Sequence, residues 1–293
     1  MTLQYGIIGP GAVGTTIAYE LLRSLDTDQV HLFGKKAWKV PYRQRDTGEQ
    51  SELQTQTLAH FDDTLDVLFI AVKTHQLDHV IEQMAHIIDD DTLIILAQNG
   101  HGQLEKIDYP HVYQAVVYIS GQKTEEGVIH FRDRILQVQE DEFTSELAQH
   151  LADTRLELQL KDDIEVEIWY KLLVNLGINS VTAVGRQTAA ILRVPEIRNL
   201  CRNLLEEGQR IAEAAGIALP ETIVEDIMKI YAGYPDEMGT SMYYDITSGA
   251  PLEVDAIQGF MYRKGQELGL YTPYLETVYS ILAAAENGKL NYK

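Results

Sequence analysis

The sequence predicts an α/β domain followed by an all-helical domain. Up to about residue 160, short apolar runs alternate with amphipathic segments, which is typical of βα units around a mainly parallel sheet. A glycine-rich loop joins the first strand to the first helix, and from about residue 163 onward the strand patterns disappear. We therefore predict a Rossmann-type dinucleotide-binding domain over residues 1–162 and a helical domain over residues 163–293.

Composition narrows the class of protein. The chain has 293 residues, with 24 Lys and Arg against 44 Asp and Glu, which gives a net charge of -20. Nucleic acids and anionic membranes need a basic face, so we expect neither as a general partner. The longest apolar runs are too short to cross a bilayer. A single cysteine, Cys201, excludes an intrachain disulfide and a thiolate metal cluster, and we expect a cytoplasmic protein.

Apolar runs, and the residues that bound them, predict the strands and helices of the first domain. Strands are expected at these runs, which lie at Tyr5–Ile8, Val30–Phe33, 66–72, 92–97 and 112–119. Amphipathic patterns predict helices over 12–25 and 75–87. Two further runs, 128–131 and 135–138, flank three charged residues and predict an antiparallel pair at one edge of the sheet.

The second domain shows helical patterns only. They cover 165–183, 196–215 and 221–231. A loop rich in glycine and proline, 233–239, interrupts them before further helices from about 252 and 272.

The loop after the first strand has the pattern G-x-G-x-x-G, which reads Gly9-Pro10-Gly11-Ala12-Val13-Gly14. Gly9 permits a tight turn, Gly11 allows a pyrophosphate to approach the backbone, and Gly14 lets the helix pack closely. The N-terminus of the helix offers the phosphates unpaired N–H groups and the positive end of its dipole. The alternative is a purely structural turn, but the position between strand and helix favours dinucleotide binding.

The end of the second predicted strand indicates which dinucleotide is bound. An NAD site has Asp or Glu about 20 residues after the loop, to accept from the ribose 2′-hydroxyl. Here the strand is followed by Gly34-Lys35-Lys36, with no acid at its tip. Two cations suit a 2′-phosphate and favour NADP, the more so in a chain of charge -20. The alternative is a pair of solvated lysines.

Polar residues after the third predicted strand are further candidates for the cofactor site. Lys73 and Gln76 follow that strand, where strand ends line the ligand crevice of such sheets. An ordinary polar cluster at a helix N-terminus is an equal alternative. His75, His79 and His86 lack an acid–histidine signature, so a solvated face explains them better than a metal site.

A polar stripe runs along the most apolar helix. The segment 169–179 is apolar nearly all round, as a buried helix is. Lys171, Asn175 and Asn179 nevertheless recur at i, i+4 and i+8 on one side. Burying a lysine and two amides is costly unless they are paired or face a ligand. A structural hydrogen-bond seam is the alternative, but it has no evident need of a lysine, so the pattern favours a site.

These residues together resemble the ketopantoate reductase family (2-dehydropantoate 2-reductases), over nearly the whole chain. The motifs that carry the resemblance are Gly9-x-Gly11-x-x-Gly14, Lys73-x-x-Gln76, Asn99-Gly100, Lys171-x-x-x-Asn175-x-x-x-Asn179-x-x-Thr182-Ala183, and Ser241 followed by Glu253. Their combination in this order is far more specific than any single motif. The resemblance implies NADPH (or NADP+) as the cofactor and ketopantoate as the substrate, meeting in a cleft between the two domains.

The resemblance also implies roles for the matching residues. Lys171 would stabilise the negative charge that develops on the ketone oxygen and would donate its proton as a general acid. Asn99 would lie near this lysine and the nicotinamide, where it would help to hold the active geometry. Glu253 would accept from the substrate hydroxyl and orient the lysine.

Three further residues would bind the substrate, with Asn175 and Asn179 at its hydroxyl end and Ser241 at its carboxylate. Two of these, and the catalytic glutamate, have structural alternatives. Asn179 could bond across helices, and Ser241 with Thr240 could cap a helix. Glu253 could simply favour the dipole of a first helical turn.

The sequence departs from the family pattern at places that bear on the substrate. Gly185-Arg186-Gln187 stands where members often carry an asparagine-containing turn, and Ala189 and Met238 stand where some have asparagines. Arg186 could supply a new anion contact or only a surface charge. These departures leave the type of reaction intact and the substrate open in detail.

We therefore expect NADPH-dependent reduction of ketopantoate to (R)-pantoate, in pantothenate and coenzyme A biosynthesis. Reduction of another branched 2-oxo acid is the nearest alternative. A non-catalytic NADPH-binding sensor is another, but it would need neither Lys171 nor Glu253. We expect a homodimer.

Overall fold

The computed structural model describes residues 3–290 of the chain. The chain divides into two compact units, Met1–Ile164 and Glu165–Lys293. The first holds a sheet with helices and the second is helical, so the predicted fold class is confirmed. No described helix is both long enough and apolar enough to cross a membrane.

The described part of the first unit contains a ten-stranded sheet and three α-helices. Its strands are β1 (Tyr5–Ile8), β2 (Val30–Phe33), β3 (Lys39–Gln44), β4 (Gln50–Gln56), β5 (Val67–Ile70), β6 (Leu93–Leu96), β7 (Val112–Gln114), β8 (Val116–Thr124), β9 (Gly127–Gln139) and β10 (Glu157–Lys161). Its α-helices are α1 (Ala12–Leu22), α2 (Leu77–Met84) and α3 (Glu142–His150). Six strands run parallel in the order β4-β2-β1-β5-β6-β7, and β3, β9 and β10 extend the sheet beyond β4, with β8 paired to β9.

Four parallel strand ends line up at one edge of this sheet. Ile8 of β1 is in register with Phe33 of β2 and Ile70 of β5, and Ile70 is in register with Leu96 of β6. These strands are almost wholly buried, which explains why they are short and apolar. The segments that follow the four ends carry the glycine loop and the other predicted cofactor residues, at the edge where such sheets bind ligands.

Two predictions for the first unit are wrong. The run 112–119 is not one strand, because Ala115 separates β7, which is parallel to β6, from β8, which is antiparallel to β9. The runs 128–131 and 135–138 do not pair with each other. They belong to the single strand β9, which continues through Asp133 at a φ of +61°. The charge of Arg134 does not end this strand, because it meets a buried carboxylate on α1.

Four elements of the first unit, β3, β4, β10 and α3, were not predicted. Strands β3 and β4 bury only alternate residues, so they contain no apolar run. Some of their buried residues are polar, among them Gln44 and Thr55, whose side chains are hydrogen-bonded. A search for apolar runs therefore overlooks them.

The described part of the second unit consists of α4 (Ile164–Gly185), α5 (Pro195–Ala214), α6 (Ile223–Ala232), α7 (Ser241–Ser248), α8 (Phe260–Glu267) and α9 (Pro273–Leu290), with shorter turns between them. Helix α7 was not predicted, and a π-helical turn, Asp255–Gly259, precedes α8. Helix α4 is buried on nearly every side between residues 172 and 183, as its composition predicts.

Candidate cofactor and substrate sites

The glycine loop has the backbone geometry that its pattern predicts. Gly9 has a φ of +111°, and a Cβ there would lie 2.8 Å from the backbone of Ala71 and Val72. A Cβ on Gly14 would lie 2.2 Å from the carbonyl oxygen of Gly9. Both positions therefore need glycine. Apart from the adjoining backbone, no atom of the described residues lies within 4 Å of the place that a Cβ on Gly11 would take, so this stretch of backbone is open to a ligand.

Helix α1 begins within this loop, at Ala12, and its N-cap residue is Gly11, which has no side chain with which to cap the helix. Its first turn holds Ala12, Val13 and Gly14 and contains no acidic residue. A phosphate here would meet unpaired N–H groups and the positive end of the helix dipole. The open backbone at Gly11 and the uncapped helix fit the pyrophosphate of a dinucleotide.

The connection after β2 carries the two predicted cations, Lys35 and Lys36, and both are exposed. The structure adds a third cation that the sequence analysis missed. The ammonium groups of Lys36 and of Lys123, on β8, each lie 5.9 Å from the centre of the Trp38 indole ring. No local pattern could have indicated Lys123, because the chain brings it back to this place from a distant strand.

Lys73 and Gln76 bound a short 3-10 turn that leads into α2. The side-chain carbonyl of Gln76 accepts from the backbone N–H of Lys73 at 3.3 Å. This is the polar helix-end arrangement that was the structural alternative for the pair. Gln76 therefore has a structural role whether or not it meets a cofactor.

Three buried glutamines, which the sequence analysis missed, hold the segment of Asn99. The side-chain amides of Gln103 and Gln114 donate to the backbone carbonyls of Asn99 and of the glycine after it, at 2.8 and 2.7 Å. Gln98 donates to the carbonyl of Val72 at 2.8 Å and so ties this segment to the one after β5. The side chain of Asn99 itself has no hydrogen-bond partner among residues 3–290, which leaves it available to a ligand.

The polar stripe of α4 lies on one side of a buried helix, as the spacing predicts. Lys171 and Asn175 are partly exposed, whereas residues 172–174 between them are buried. Asn179 is 4% exposed. Within the described part of the chain the side-chain amides of Asn175 and Asn179 have no hydrogen-bond partner. The alternative for Asn179, a bond across helices, is therefore not what holds it, and a polar ligand would satisfy both amides.

The hydroxyl of Tyr231, on α6, bridges two backbone groups of α4 beside these asparagines. It donates to the carbonyl of Val174 at 2.7 Å and accepts from the N–H of Ile178 at 3.0 Å. An α-helix normally pairs these two backbone groups with each other. A Cβ on Gly177 would lie 2.5 Å from the hydroxyl oxygen, so the bridge depends on glycine. It ties α6 to the part of α4 that carries the stripe.

We expect Tyr231→Phe to lower the free energy of unfolding by about 1–3 kcal/mol, because a buried carbonyl and N–H lose their bridging hydroxyl. Urea denaturation of the purified protein measures this. Tyr271→Phe is the matched control, since Tyr271 is 80% exposed and its loss of a hydroxyl is expected to change stability by less than about 0.5 kcal/mol. Equal changes in the two variants would contradict a structural role for the bridge.

Thr240, and not Ser241, caps helix α7. The hydroxyl of Thr240 accepts from the N–H of Tyr243 at 3.1 Å and bonds to the hydroxyl of Thr182 at 2.8 Å. Ser241 is exposed, and nothing in the described chain bonds to its hydroxyl. Glu253 is 7% exposed and precedes the π-helical turn, so it does not lie in a first helical turn as its structural alternative requires.

The residues that depart from the family pattern lie at two positions in the second unit. The N–H of Ala189 donates to the carbonyl of Met238 at 2.8 Å, so these two residues lie side by side. Gly185 is the last residue of α4, and Arg186 follows it at the surface with a φ of +49°. Its exposed position at the end of a helix agrees with a surface charge.

In the part of the chain that the structure describes, no three His, Cys, Asp or Glu side chains lie together as metal ligands would. His86 bonds instead to the carbonyl of Leu58 at 3.1 Å. Burial raises the pKa of the Cys201 thiol to about 12, so the thiol stays protonated and unreactive.

Comparison with known proteins agrees with this arrangement. The model of the ketopantoate reductase family PanE/ApbA matches residues 5–140, and the model of its C-terminal part matches residues 163–286. A 2-dehydropantoate 2-reductase of Mycobacterium tuberculosis is 29% identical, over 98% of this chain and 99% of that protein.

Solved structures agree as well. A dimeric ketopantoate reductase from Staphylococcus aureus is 52% identical, with a TM-score of 0.95 over 98% of this chain and 100% of that one. A D-mandelate dehydrogenase solved with NADH and anilino(oxo)acetate has a TM-score of 0.86, over 98% of this chain and 99% of that one. At 21% identity this second likeness shows the fold alone. With family models that together match most of its length, and a relative that shares half of its residues, the chain belongs to the ketopantoate reductase family.

Proposed function

We propose that this protein reduces 2-dehydropantoate (ketopantoate) to (R)-pantoate with NADPH, on the route to pantothenate and coenzyme A. In this proposal residues 1–162 hold the cofactor and residues 163–293 the substrate. The observation that carries it is the stripe of α4, where a lysine and two asparagines with unengaged amides stand on a helix that is otherwise apolar. Membership of the family supports the same reaction.

The cofactor is held at the carboxyl edge of the parallel strands. When bound, NADPH supplies the hydride that goes to the ketone carbon. The loop from Gly9 to Gly14 and the N-terminus of α1 hold its pyrophosphate. Lys35 meets the 2′-phosphate, and Lys73 and Gln76 lie along the adenosine side. Asn99 serves the nicotinamide end.

Lys171 acts as the general acid. As the ketone carbon is reduced, negative charge develops on its oxygen, and the ammonium group at Nζ stabilises this charge and gives up a proton to it. An ammonium group has three N–H donors, so it can bond to the oxygen and to a protein acceptor together. Glu253 orients the lysine, and Asn99 helps to hold the active geometry.

The substrate is held at its two ends. Asn175 and Asn179 bind the hydroxyl end, where their amides offer both donors and acceptors. Glu253 also accepts from this hydroxyl. Ser241 donates to the carboxylate, and its place in the first turn of α7 adds the positive end of a helix dipole.

Another branched 2-oxo acid is a second candidate substrate, and one observation favours it. Ala189 and Met238 lie side by side, so two apolar residues stand together where some family members have asparagines. The chemistry at the ketone is the same for either substrate.

Initial rates test the proposal. Purified protein is assayed with ketopantoate and either NADPH or NADH, and we expect rapid turnover with NADPH and little with NADH. Turnover of another branched 2-oxo acid, but not of ketopantoate, would select the second candidate. If the protein binds NADPH but turns over no 2-oxo acid, the proposed reductase activity is contradicted.

The similarity to the S. aureus ketopantoate reductase also bears on the oligomeric state of this protein. The S. aureus ketopantoate reductase is described as dimeric, and we infer that this chain also pairs with a second copy. Sedimentation equilibrium is expected to give twice the mass of one chain, and a monomer at micromolar concentration would overturn this inference.

A further inference from the structure

An indole with two lysines over it stands beyond the end of β2, and we name Lys36, Trp38 and Lys123 the Trp38 site. Both ammonium groups lie 5.9 Å from the centre of the ring. The backbone here is fixed by Thr55 of β4, which is fully buried. Its hydroxyl accepts from the N–H of Trp38 at 3.0 Å and donates to the carbonyl of Lys36 at 2.9 Å. The backbone that carries Lys36 and Trp38 is thus held in place.

In the described part of the chain, the two lysines of this site and the neighbouring Lys35 have no carboxylate as a partner. Among residues 3–290 no carboxylate lies within 4.0 Å of Lys35, Lys36 or Lys123. Nearby Lys39 does have one, since its ammonium group lies 3.3 Å from Glu52. Loss of solvent lowers the pKa of Lys123, and repulsion by Lys35 lowers it further. Three neighbouring lysines without a carboxylate partner repel one another, and this is unusual in a chain of charge -20. A bound anion would offset this repulsion.

Two segments that carry residues of the site also border the glycine loop: the connection after β2, which holds Lys36, and strand β8, which holds Lys123. A Cβ on Gly34, just after β2, would lie 3.1 Å from Cγ of Pro10. A Cβ on Gly121, two residues before Lys123 on β8, would lie 3.2 Å from Cβ of Ala12. An anion at the Trp38 site is therefore close to a dinucleotide whose pyrophosphate lies on that loop.

We propose that Lys36 and Lys123, held over Trp38, bind the ribose 2′-phosphate of NADPH, and that Lys123 sets the preference for NADPH over NADH. This inference rests on the cofactor of the proposed function. A phosphomonoester carries nearly two negative charges at neutral pH and accepts several N–H donors, which matches the uncompensated lysines. NADH has only a hydroxyl at this position and gains nothing from them.

Isothermal titration of the whole protein with NADPH and with NADH tests this, in the wild type and in Lys123→Met. We expect the affinity for NADPH to fall about 10- to 100-fold in the variant, because one charge-assisted contact to a dianion is lost, and the affinity for NADH to stay unchanged. Lys123→Arg, which keeps the cation, is expected to restore most of the preference. Lys39→Met is the matched control, because this nearby lysine already has Glu52 as its partner. It is expected to change neither affinity.

The possible outcomes separate this inference from the proposed function. An equal loss of affinity for both nucleotides in Lys123→Met, or a loss for neither, would overturn the role of Lys123. If the wild type binds NADPH and NADH with equal affinity, the role of Lys123 is also overturned, even if the protein reduces ketopantoate. If the wild type prefers NADPH but does not reduce ketopantoate, the proposed reaction is wrong. The titration of the Lys123 variants would still decide whether this lysine sets the preference for NADPH.

Discussion

Replacing Lys171 with methionine is expected to lower kcat for ketopantoate reduction by about 10²–10⁴-fold. Methionine fills much of the same volume, but it has neither a proton to donate nor a charge to offer the ketone oxygen. Lys171 is only partly buried, on a helix packed mainly through its apolar residues, so we expect the variant to fold. The measurement is single-turnover oxidation of bound NADPH, which reports the chemical step apart from product release.

Two further lysine variants complete this experiment. Lys171→Arg keeps the positive charge, but a guanidinium group does not release its proton, so we expect it to recover only part of the rate. Lys229→Met is the matched control, because Lys229 is exposed on α6 and paired with Asp226 at 2.8 Å. It is expected to leave kcat unchanged. NADPH affinity is expected to be the same in all three variants, and a Lys171→Met enzyme with kcat within about threefold of the wild type would contradict the role of general acid.

The parts of the site that could be predicted are those whose cause is local in the sequence. Gly9 and Gly14 lie within one short loop, and their need for glycine comes from the turn itself and from the strand end beside it. Lys171 and the asparagines after it stand at helical spacing in one apolar segment, so their common face follows from the period of the helix. In such places a few neighbouring residues determine the structure.

The parts that could not be predicted depend on partners far along the chain. The hydroxyl of Tyr231 bonds to the backbone of α4 from another helix. Lys123 reaches Trp38 from β8. From the sequence, Thr240 is only a companion of Ser241 in a possible helix cap, whereas its bond to Thr182 and its place as the cap depend on how the helices pack. No spacing or composition indicates such contacts.

Strand β9 shows the same limit in the fold. Its three charged residues suggested a turn, because charges usually leave a sheet for solvent. Arg134 instead reaches Glu20 on α1, whose side chain is fully buried, with Nε 2.5 Å from the carboxylate. Burial disfavours the charge of Arg134, but the hydrogen bonds and charges of Glu20 and Asp46 together outweigh it and raise the pKa of this arginine. The strand can therefore run through a charged position.

Arg134→Met is accordingly expected to lower the free energy of unfolding by about 3–5 kcal/mol, since it leaves a buried carboxylate without its main partner. Glu20 would keep the amide of Gln44, which donates to it at 2.8 Å, and the more distant guanidinium of Arg155, at 3.9 Å. Neither replaces a direct charged contact. Urea denaturation, followed by circular dichroism, measures the loss.

The neighbouring arginine on the same strand is the control for this variant. Arg132 is 60% exposed and lies 3.7 Å from Asp133, so Arg132→Met is expected to cost less than about 1 kcal/mol. Adding Glu20→Gln to Arg134→Met removes the unpaired charge and keeps an acceptor for Gln44, and we expect it to recover part of the stability. If Arg134→Met costs no more than Arg132→Met, the buried pair does not hold α1 to the sheet. If the double variant recovers nothing, the loss comes from the packing of the arginine side chain and not from the stranded carboxylate.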